Sequence, residues 1–131
     1  MHAPETSIRA QFQPDVDEFI DDLRTFATGS YLSESDKDLW EQPFDPAALP
    51  QLKDLLEGFL DALDRLGDDP EGEQLASVAG PFYAALDSFN ESYANAVLEP
   101  EEKADIEALV FRAAAATGAT DEALRELPEI E

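Results

Sequence analysis

The chain has no cysteine, and its single histidine is His2. Without cysteine it can form no disulfide, and it has neither a thiolate nucleophile nor thiolate ligands for zinc. A lone histidine also leaves the usual sites for zinc, copper and haem, and the Ser-His and Cys-His catalytic systems, without the residues that they need. We therefore expect no cofactor, no transition metal and no catalytic residues of these kinds.

Long apolar runs are missing as well. No stretch approaches the roughly 18 consecutive apolar residues that a membrane helix requires. The opening segment, MHAPETSIRA, lacks the basic start and the apolar run of a secretory signal. The sequence therefore predicts a soluble, cytoplasmic protein that does not enter membranes.

Basic residues are scarce: 8 lysines and arginines stand against 31 aspartates and glutamates, which gives a formal net charge of -23. A surface of this charge repels nucleic acid and anionic lipid, so we expect no direct binding to either. It attracts cations and basic protein surfaces instead. A second interpretation is that the acids only maintain solubility or suit a salty cytoplasm, and the sequence leaves both interpretations open.

What the sequence does contain is apolar residues at helical spacing. At 131 residues the chain has the size of one domain, and it shows neither strand-like alternation nor hairpin turn signals. Apolar residues recur every three or four positions in 16–26, 50–66, 81–97 and 101–117. The sequence predicts an all-α bundle of about four main helices plus one or two short helices. Residues 1–13 are predicted to be a loose N-terminal arm and 14–131 a single helical domain.

Helix 50–66 is predicted to be the centre of this bundle. Its apolar residues form one stripe at three-four spacing: Leu49, Leu52, Leu56, Phe59, Leu63 and Leu66. Leu55 and Leu60 widen the stripe, so we expect this helix to touch more than one neighbour. A second stripe on another face, called the acidic stripe below, consists of four carboxylates: Asp54, Glu57, Asp61 and Asp64.

Proline and glycine indicate where helices begin and break. Pro14, followed by Asp15 and Asp17, resembles a helix start, because proline suits the first helical position and acids favour the positive end of the helix dipole. We therefore expect the first helix to begin at Pro14. Gly80 and Pro81 interrupt the third apolar segment, and we expect a break there rather than a kink.

Two acidic loops, 33–38 and 64–73, contain the oxygen ligands that calcium prefers. Neither has acids at positions one, three and five with glycine at position six, which is the spacing of an EF-hand. Taking Asp64 as the first ligand places Leu66 at position three, where an oxygen ligand is required. The sequence therefore predicts no specific calcium site.

Two groups of aromatic residues admit two interpretations each. The first group comprises Phe82, Tyr83, Phe89 and Tyr93. It could line a pocket between helices, but core packing is the expectation because aromatic residues commonly fill cores. The second group, in the irregular segment, comprises Tyr31, Trp40 and Phe44. These side chains either close one end of the bundle or stay exposed as a patch for a partner, since aromatic residues are favoured interface anchors.

These features favour a non-enzymatic acidic module, for binding or regulation, whose partner is a basic protein surface. A narrower hypothesis is a DNA mimic, in which rows of carboxylates imitate phosphates and block a nucleic-acid-binding protein. The candidate partner-binding residues are Asp54, Glu57, Asp61, Asp64, Tyr31, Trp40 and Phe44. One alternative is a small oligomeric assembly or chaperone-like subunit that associates with its own copies through Leu55 and Leu60. Another is an enzyme that uses carboxylates and a divalent cation.

Overall fold

The computed structural model describes residues 7–29, 32–33, 44–67 and 69–128. Within these ranges the elements are α1 (Ile8–Thr28), a 3-10 turn (Pro46–Ala48), α2 (Leu49–Leu66), α3 (Gly72–Ser92), α4 (Pro100–Ala116) and α5 (Asp121–Leu124). The described residues contain no strand, and the four long helices pack against each other. The predicted all-α bundle is confirmed. None of the described helices combines the length and the apolar character needed to cross a bilayer.

The central position of α2 is confirmed by its contacts, which reach α1, α3 and α4. Its apolar stripe is buried along its length, with only Leu66 at the end partly exposed. Phe59 stacks on Phe82 of α3, with ring centroids 4.6 Å apart. Since α2 and its neighbours share one core, their side chains also fix how α1 and α4 sit beside each other.

Leu60 does not belong to the spare apolar face that the sequence suggests on α2, and association of the chain with its own copies stays a prediction. Leu60 is fully buried in the core, and Leu55 is partly buried and packed against it. The prediction that Leu60 is free to contact another copy is therefore wrong, because α2 has neighbours on more than one side and both leucines pack within the chain.

Helix α1 begins at Ile8 rather than at Pro14, which lies inside it. Residues 8–13 of the predicted arm are thus helical, while residues 1–6 lie outside the described part of the chain. Pro14 removes the bond to the carbonyl of Ala10. The helix continues because its buried face, with Phe12 before Pro14 and Val16 after it, runs on without interruption.

Helix α3 likewise passes through Gly80 and Pro81 without a break, so the predicted break is wrong. Pro81 is exposed, whereas Ala79 and Phe82 on either side of it are buried. The loss of one backbone bond, to the carbonyl of Ser77, is outweighed by the packing of one continuous apolar face.

The buried side chain of Asn90 holds the connection between α3 and α4. Its Nδ2 donates to the carbonyl of Leu98 at 3.0 Å, and its Oδ1 accepts from the N–H groups of Val97 (3.2 Å) and Leu98 (2.9 Å). In the same connection Ala94 and Asn95 both have φ of 59°. Three side-chain bonds therefore replace helical ones and keep the start of α4 beside the end of α3.

Candidate functional site

The acidic stripe of α2 lies against the first turn of α1, which runs antiparallel to it. Asp64 accepts two backbone bonds there, Oδ1 from the N–H of Ile8 at 2.7 Å and Oδ2 from the N–H of Arg9 at 3.1 Å. Ser7 Oγ accepts from the N–H of Ala10 at 3.0 Å. The first turn of α1 has no acid of its own, so Asp64 supplies the negative charge that stabilises a helix N-terminus.

Two more acids of the stripe bind the side chain of Arg9. The guanidinium lies 2.8 Å from Asp61 Oδ2 and 3.3 Å from Glu57 Oε1. Gln13 Nε2 donates to the other oxygen of Glu57 at 2.8 Å. Further along the same flank Lys53 lies 3.5 Å from Asp17. We call this flank of α1, with the part of α2 that faces it, the α1–α2 seam.

The acidic stripe is therefore not the open row of carboxylates that the sequence suggests. Asp54, its fourth member, is exposed. The other three accept hydrogen bonds from donors of α1, because the antiparallel packing brings Arg9, Gln13 and two backbone N–H groups against them. Partner binding by the stripe stays a prediction, now for a surface on which three of the four carboxylates already accept bonds from α1.

The candidate aromatic residues divide between the core and the segment that is not described. Phe44 is buried and lies 6.5 Å, between ring centroids, from Phe26 of α1. Phe44 therefore belongs to the buried core and not to an exposed patch. Tyr31 and Trp40 lie outside the described residues, so their predicted role in partner binding stays a prediction.

The aromatic residues of α3 pack in the core, as expected. Phe82, Tyr83 and Phe89 are buried, and Phe89 contacts Tyr93 with ring centroids 5.2 Å apart. Burial raises the pKa of the Tyr83 hydroxyl to about 12, and the nearby carboxylate of Glu107 acts in the same direction. That hydroxyl therefore stays protonated at neutral pH.

The opposite flank of α1 faces α4 across a groove that the sequence does not reveal. Phe19 and Leu23 of α1, with Ile106 and Leu109 of α4, form its apolar floor. Its two wider parts hold about 240 Å³ and about 300 Å³. At one end Phe26 leaves 43% of its surface exposed, which is unusual for a large apolar side chain in this chain. We call this feature the α1–α4 groove.

Carboxylates line both edges of the α1–α4 groove: Asp15, Glu18, Asp22, Glu99, Glu101, Glu102 and Asp105. Among the described residues that line it, Arg112 is the single basic side chain. Arg112 lies 3.7 Å from Asp15, and its guanidinium carbon is 5.8 Å from the ring centroid of Phe12. The remaining six carboxylates form no ion pair with a described residue. The groove is thus strongly negative except beside Arg112.

Glu102 shows how this concentration of charge affects one group. It belongs to the capping box of α4, where its Oε1 accepts from the backbone N–H of Glu99 at 3.1 Å. Partial burial raises the pKa of Glu102, and the carboxylates of Glu99, Glu101 and Asp105 raise it further against the opposing effect of that hydrogen bond. A cation placed in the groove would relieve this repulsion.

The carboxylates do not converge on a point. The described residues contain no group of three or more histidine, cysteine, aspartate or glutamate side chains arranged to hold a metal ion. Asp64, at the start of the acidic loop 64–73, is occupied by the backbone of α1. Of the loop 33–38, Ser33 alone belongs to the described residues. The groove therefore offers negative charge spread along its length.

The groove acids were open to discovery from the spacing of the sequence. Asp15, Glu18 and Asp22 recur every three or four residues, so they share one face of α1. From the local sequence alone, the acids that follow Pro14 and Pro100 are assigned to the first turns of two helices. That assignment is right for Glu101 and wrong for Asp15, which lies beyond the first turn of α1.

Compared with models of protein families, with curated proteins and with solved structures, the chain matches none. The geometry of the α1–α4 groove is therefore the basis on which a function can be argued.

Proposed function

We propose that the protein is a non-enzymatic binding module whose α1–α4 groove takes up a basic, amphipathic segment of a partner protein. The observation that carries this proposal is the combination of an apolar floor with seven carboxylates and one arginine along the edges. Lysine and arginine side chains of the segment would pair with the edges, and its apolar side chains would cover the floor and Phe26. Among the described residues six of the edge carboxylates form no ion pair and Phe26 is 43% exposed, so both interactions would meet groups that are open to a partner.

The shape of the groove favours an elongated partner over a single ion. Its lining on α1 extends from Asp15 to Phe26, which corresponds to about 16 Å of helix at the usual rise. A partner helix of about three turns matches this length and presents apolar residues on one face. The distributed carboxylates suit several separate cations, because they form no cluster around one point.

The apolar floor also separates this proposal from mimicry of DNA. A phosphate row attracts basic side chains without offering apolar area, whereas Phe19, Leu23 and Phe26 give the groove an apolar component. We therefore favour an amphipathic protein segment over the nucleic-acid-binding face of a protein. A groove of this size buries less area than a standard interface, so we expect weak, salt-sensitive binding.

The proposal can be tested with a synthetic peptide of about 14 residues in which leucines at helical spacing form one face and lysines the other. A scrambled peptide of the same composition has the same charge but no apolar face, so it serves as the control. Titration of the labelled amphipathic peptide should give saturable binding and shift backbone amide resonances along α1 and α4. Equal binding of both peptides would mean that the protein recognises only net charge.

Matched variants then locate the site. The groove variant carries Asp22→Asn, Glu101→Gln and Asp105→Asn, and the control carries Glu73→Gln, Asp87→Asn and Glu91→Gln on exposed positions of α3. Both remove three negative charges, so they weaken long-range attraction equally. We expect the groove variant to lose roughly 3- to 150-fold in affinity, because three exposed charge pairs at about 0.2–1 kcal/mol each total about 0.6–3 kcal/mol, and the control to lose much less. Equal losses would contradict the proposal, as would a larger loss in Asp54→Asn.

A further inference from the structure

We propose, resting on the function above, that the α1–α4 groove is directional: it takes a segment that is basic at one end and acidic at the other. The acidic end of the segment would lie beside Arg112 and its basic end beside Phe26. The partner class is thereby narrowed from any basic amphipathic segment to one whose charges are ordered along its length.

The two ends of the groove differ in charge. At the Phe26 end the lining acids are Glu99, Glu101 and Glu102, together with Asp22 and Asp105, which line both ends, and no basic residue is among the described side chains there. At the other end the acids are Asp15, Glu18, Asp22 and Asp105, and Arg112, 3.7 Å from Asp15, offsets part of their charge. A cation is therefore attracted more strongly to the Phe26 end, and an anion is repelled least beside Arg112, the single basic side chain among the described residues that line the groove.

Arg112 is positioned to accept a second carboxylate. Its side chain is 54% exposed, and the contacts with Asp15 and the ring of Phe12 limit where the guanidinium can lie. A guanidinium has five N–H donors in a planar fork, so the contact with Asp15 leaves donors for an acid of the partner. Phe26, exposed at the far end, provides the apolar contact that a flanking basic residue would accompany.

The direct test uses one amphipathic peptide with lysines in one half and glutamate at the opposite terminus, spin-labelled at either end. With the label at the basic end, amides near Phe26 and Glu101 should broaden most. With the label at the acidic end, amides near Asp15 and Arg112 should broaden most. Equal broadening at both ends, or the reverse pattern, would overturn the direction while leaving groove binding intact. Failure of the peptide to bind at all would defeat the proposed function and the direction with it.

A double-mutant cycle gives an independent measurement. The peptide and its Glu→Gln version are each titrated against the wild-type protein and Arg112→Gln. We expect Arg112→Gln to weaken the glutamate peptide relative to the glutamine peptide by about two- to five-fold, as for an exposed ion pair. A circular dichroism melt establishes that the variant keeps its fold. Parallel effects on the two peptides would show that Arg112 does not contact the acidic end, which would contradict the proposed direction.

Discussion

Carboxylates lie along both flanks of α1, but among the described residues those of the α1–α2 seam mostly have a hydrogen-bond or ion-pair partner, whereas those of the α1–α4 groove mostly form no ion pair. In the α1–α2 seam Glu57, Asp61 and Asp64 face a guanidinium, an amide and two backbone N–H groups. In the α1–α4 groove seven acids line the edges, and Arg112, the single basic side chain among the described lining residues, pairs with one of them, Asp15. The difference teaches that the role of an acidic residue depends on the donors that the fold brings to it. A count of acids, or their regular spacing on one helix, does not reveal it.

Helix α2 packs against both α1 and α4 and so fixes the two flanks. Changes to its buried residues should therefore have the largest effect on stability. We expect Leu56→Ala and Phe59→Ala each to lower the free energy of unfolding by about 2–5 kcal/mol, because both remove buried side chains and leave cavities. Phe111→Ala is the matched control, since 52% of that residue is exposed, and it should cost much less. Chemical denaturation measures all three. Similar small losses throughout would mean that α2 does not set the positions of the two flanks.

The next largest effect compares the stability contributed by one acid from each flank. We expect Asp64→Ala to destabilise the protein by about 0.5–2 kcal/mol, as for loss of a helix cap, because it removes the acceptor of two N–H groups of α1. Asp64→Asn keeps an acceptor and should cost less. Asp22→Ala in the groove removes an acid that forms no ion pair with a described residue, so it should leave stability level or raise it. Thermal melts that rank Asp22→Ala below Asp64→Ala would reverse the comparison.

Salt should act on the groove more than on the seam. Screening weakens repulsion between exposed carboxylates, since the Debye length falls from about 10 Å at 0.1 M to about 3 Å at 1 M salt. We expect the stability of the wild type to rise with sodium chloride, and that of the groove variant Asp22→Asn, Glu101→Gln, Asp105→Asn to rise less. Denaturation curves across this range measure the difference. A salt response unchanged in the variant would show that the groove acids do not repel one another appreciably.

The smallest effect concerns pH and Glu102. Because its pKa is raised in the folded protein, Glu102 binds protons more tightly folded than unfolded. Its ionisation therefore costs stability as the pH rises from the ordinary glutamate range through the raised pKa, and the cost disappears at lower pH. Glu102→Gln keeps the capping acceptor and should exceed the wild type slightly in stability at neutral pH, with the advantage vanishing on acidification. A constant difference at all pH values would mean that the cause is not this titration.

The sequence predicts the core better than the flanks, for a physical reason. The apolar stripe of α2 is a periodic, local pattern, and burying it dominates the folding free energy, so the all-α bundle follows from spacing alone. Pro14 and Pro81 lead to wrong predictions of a helix start and a helix break. The free energy that each proline costs its helix is smaller than the free energy gained by packing a continuous apolar face on both sides of it.

Spacing alone places Asp15, Glu18 and Asp22 on one face of α1, but it does not show the site they belong to, because that site depends on pairs of residues far apart in the chain. The acidic stripe is regular on α2, but only the fold shows that Arg9 and Gln13 lie against it. The groove needs α1 and α4 side by side, and the position of α4 depends on the buried amide of Asn90. An asparagine in a helical segment gives no local signal that its side chain will bond to the connection between two helices.

The cap that Asp64 provides has a consequence for the order in which the chain assembles. The bond from Ile8 to Asp64 joins residues 56 positions apart, so it forms only after a long loop has closed and the associated entropy has been lost. The first turn of α1, which contains no acid of its own and precedes Pro14, thus depends for its completion on a helix made much later in synthesis. We expect the amides of Ile8 and Arg9 to gain protection from hydrogen exchange late in folding and to lose it early in local unfolding, ahead of those in the middle of α2.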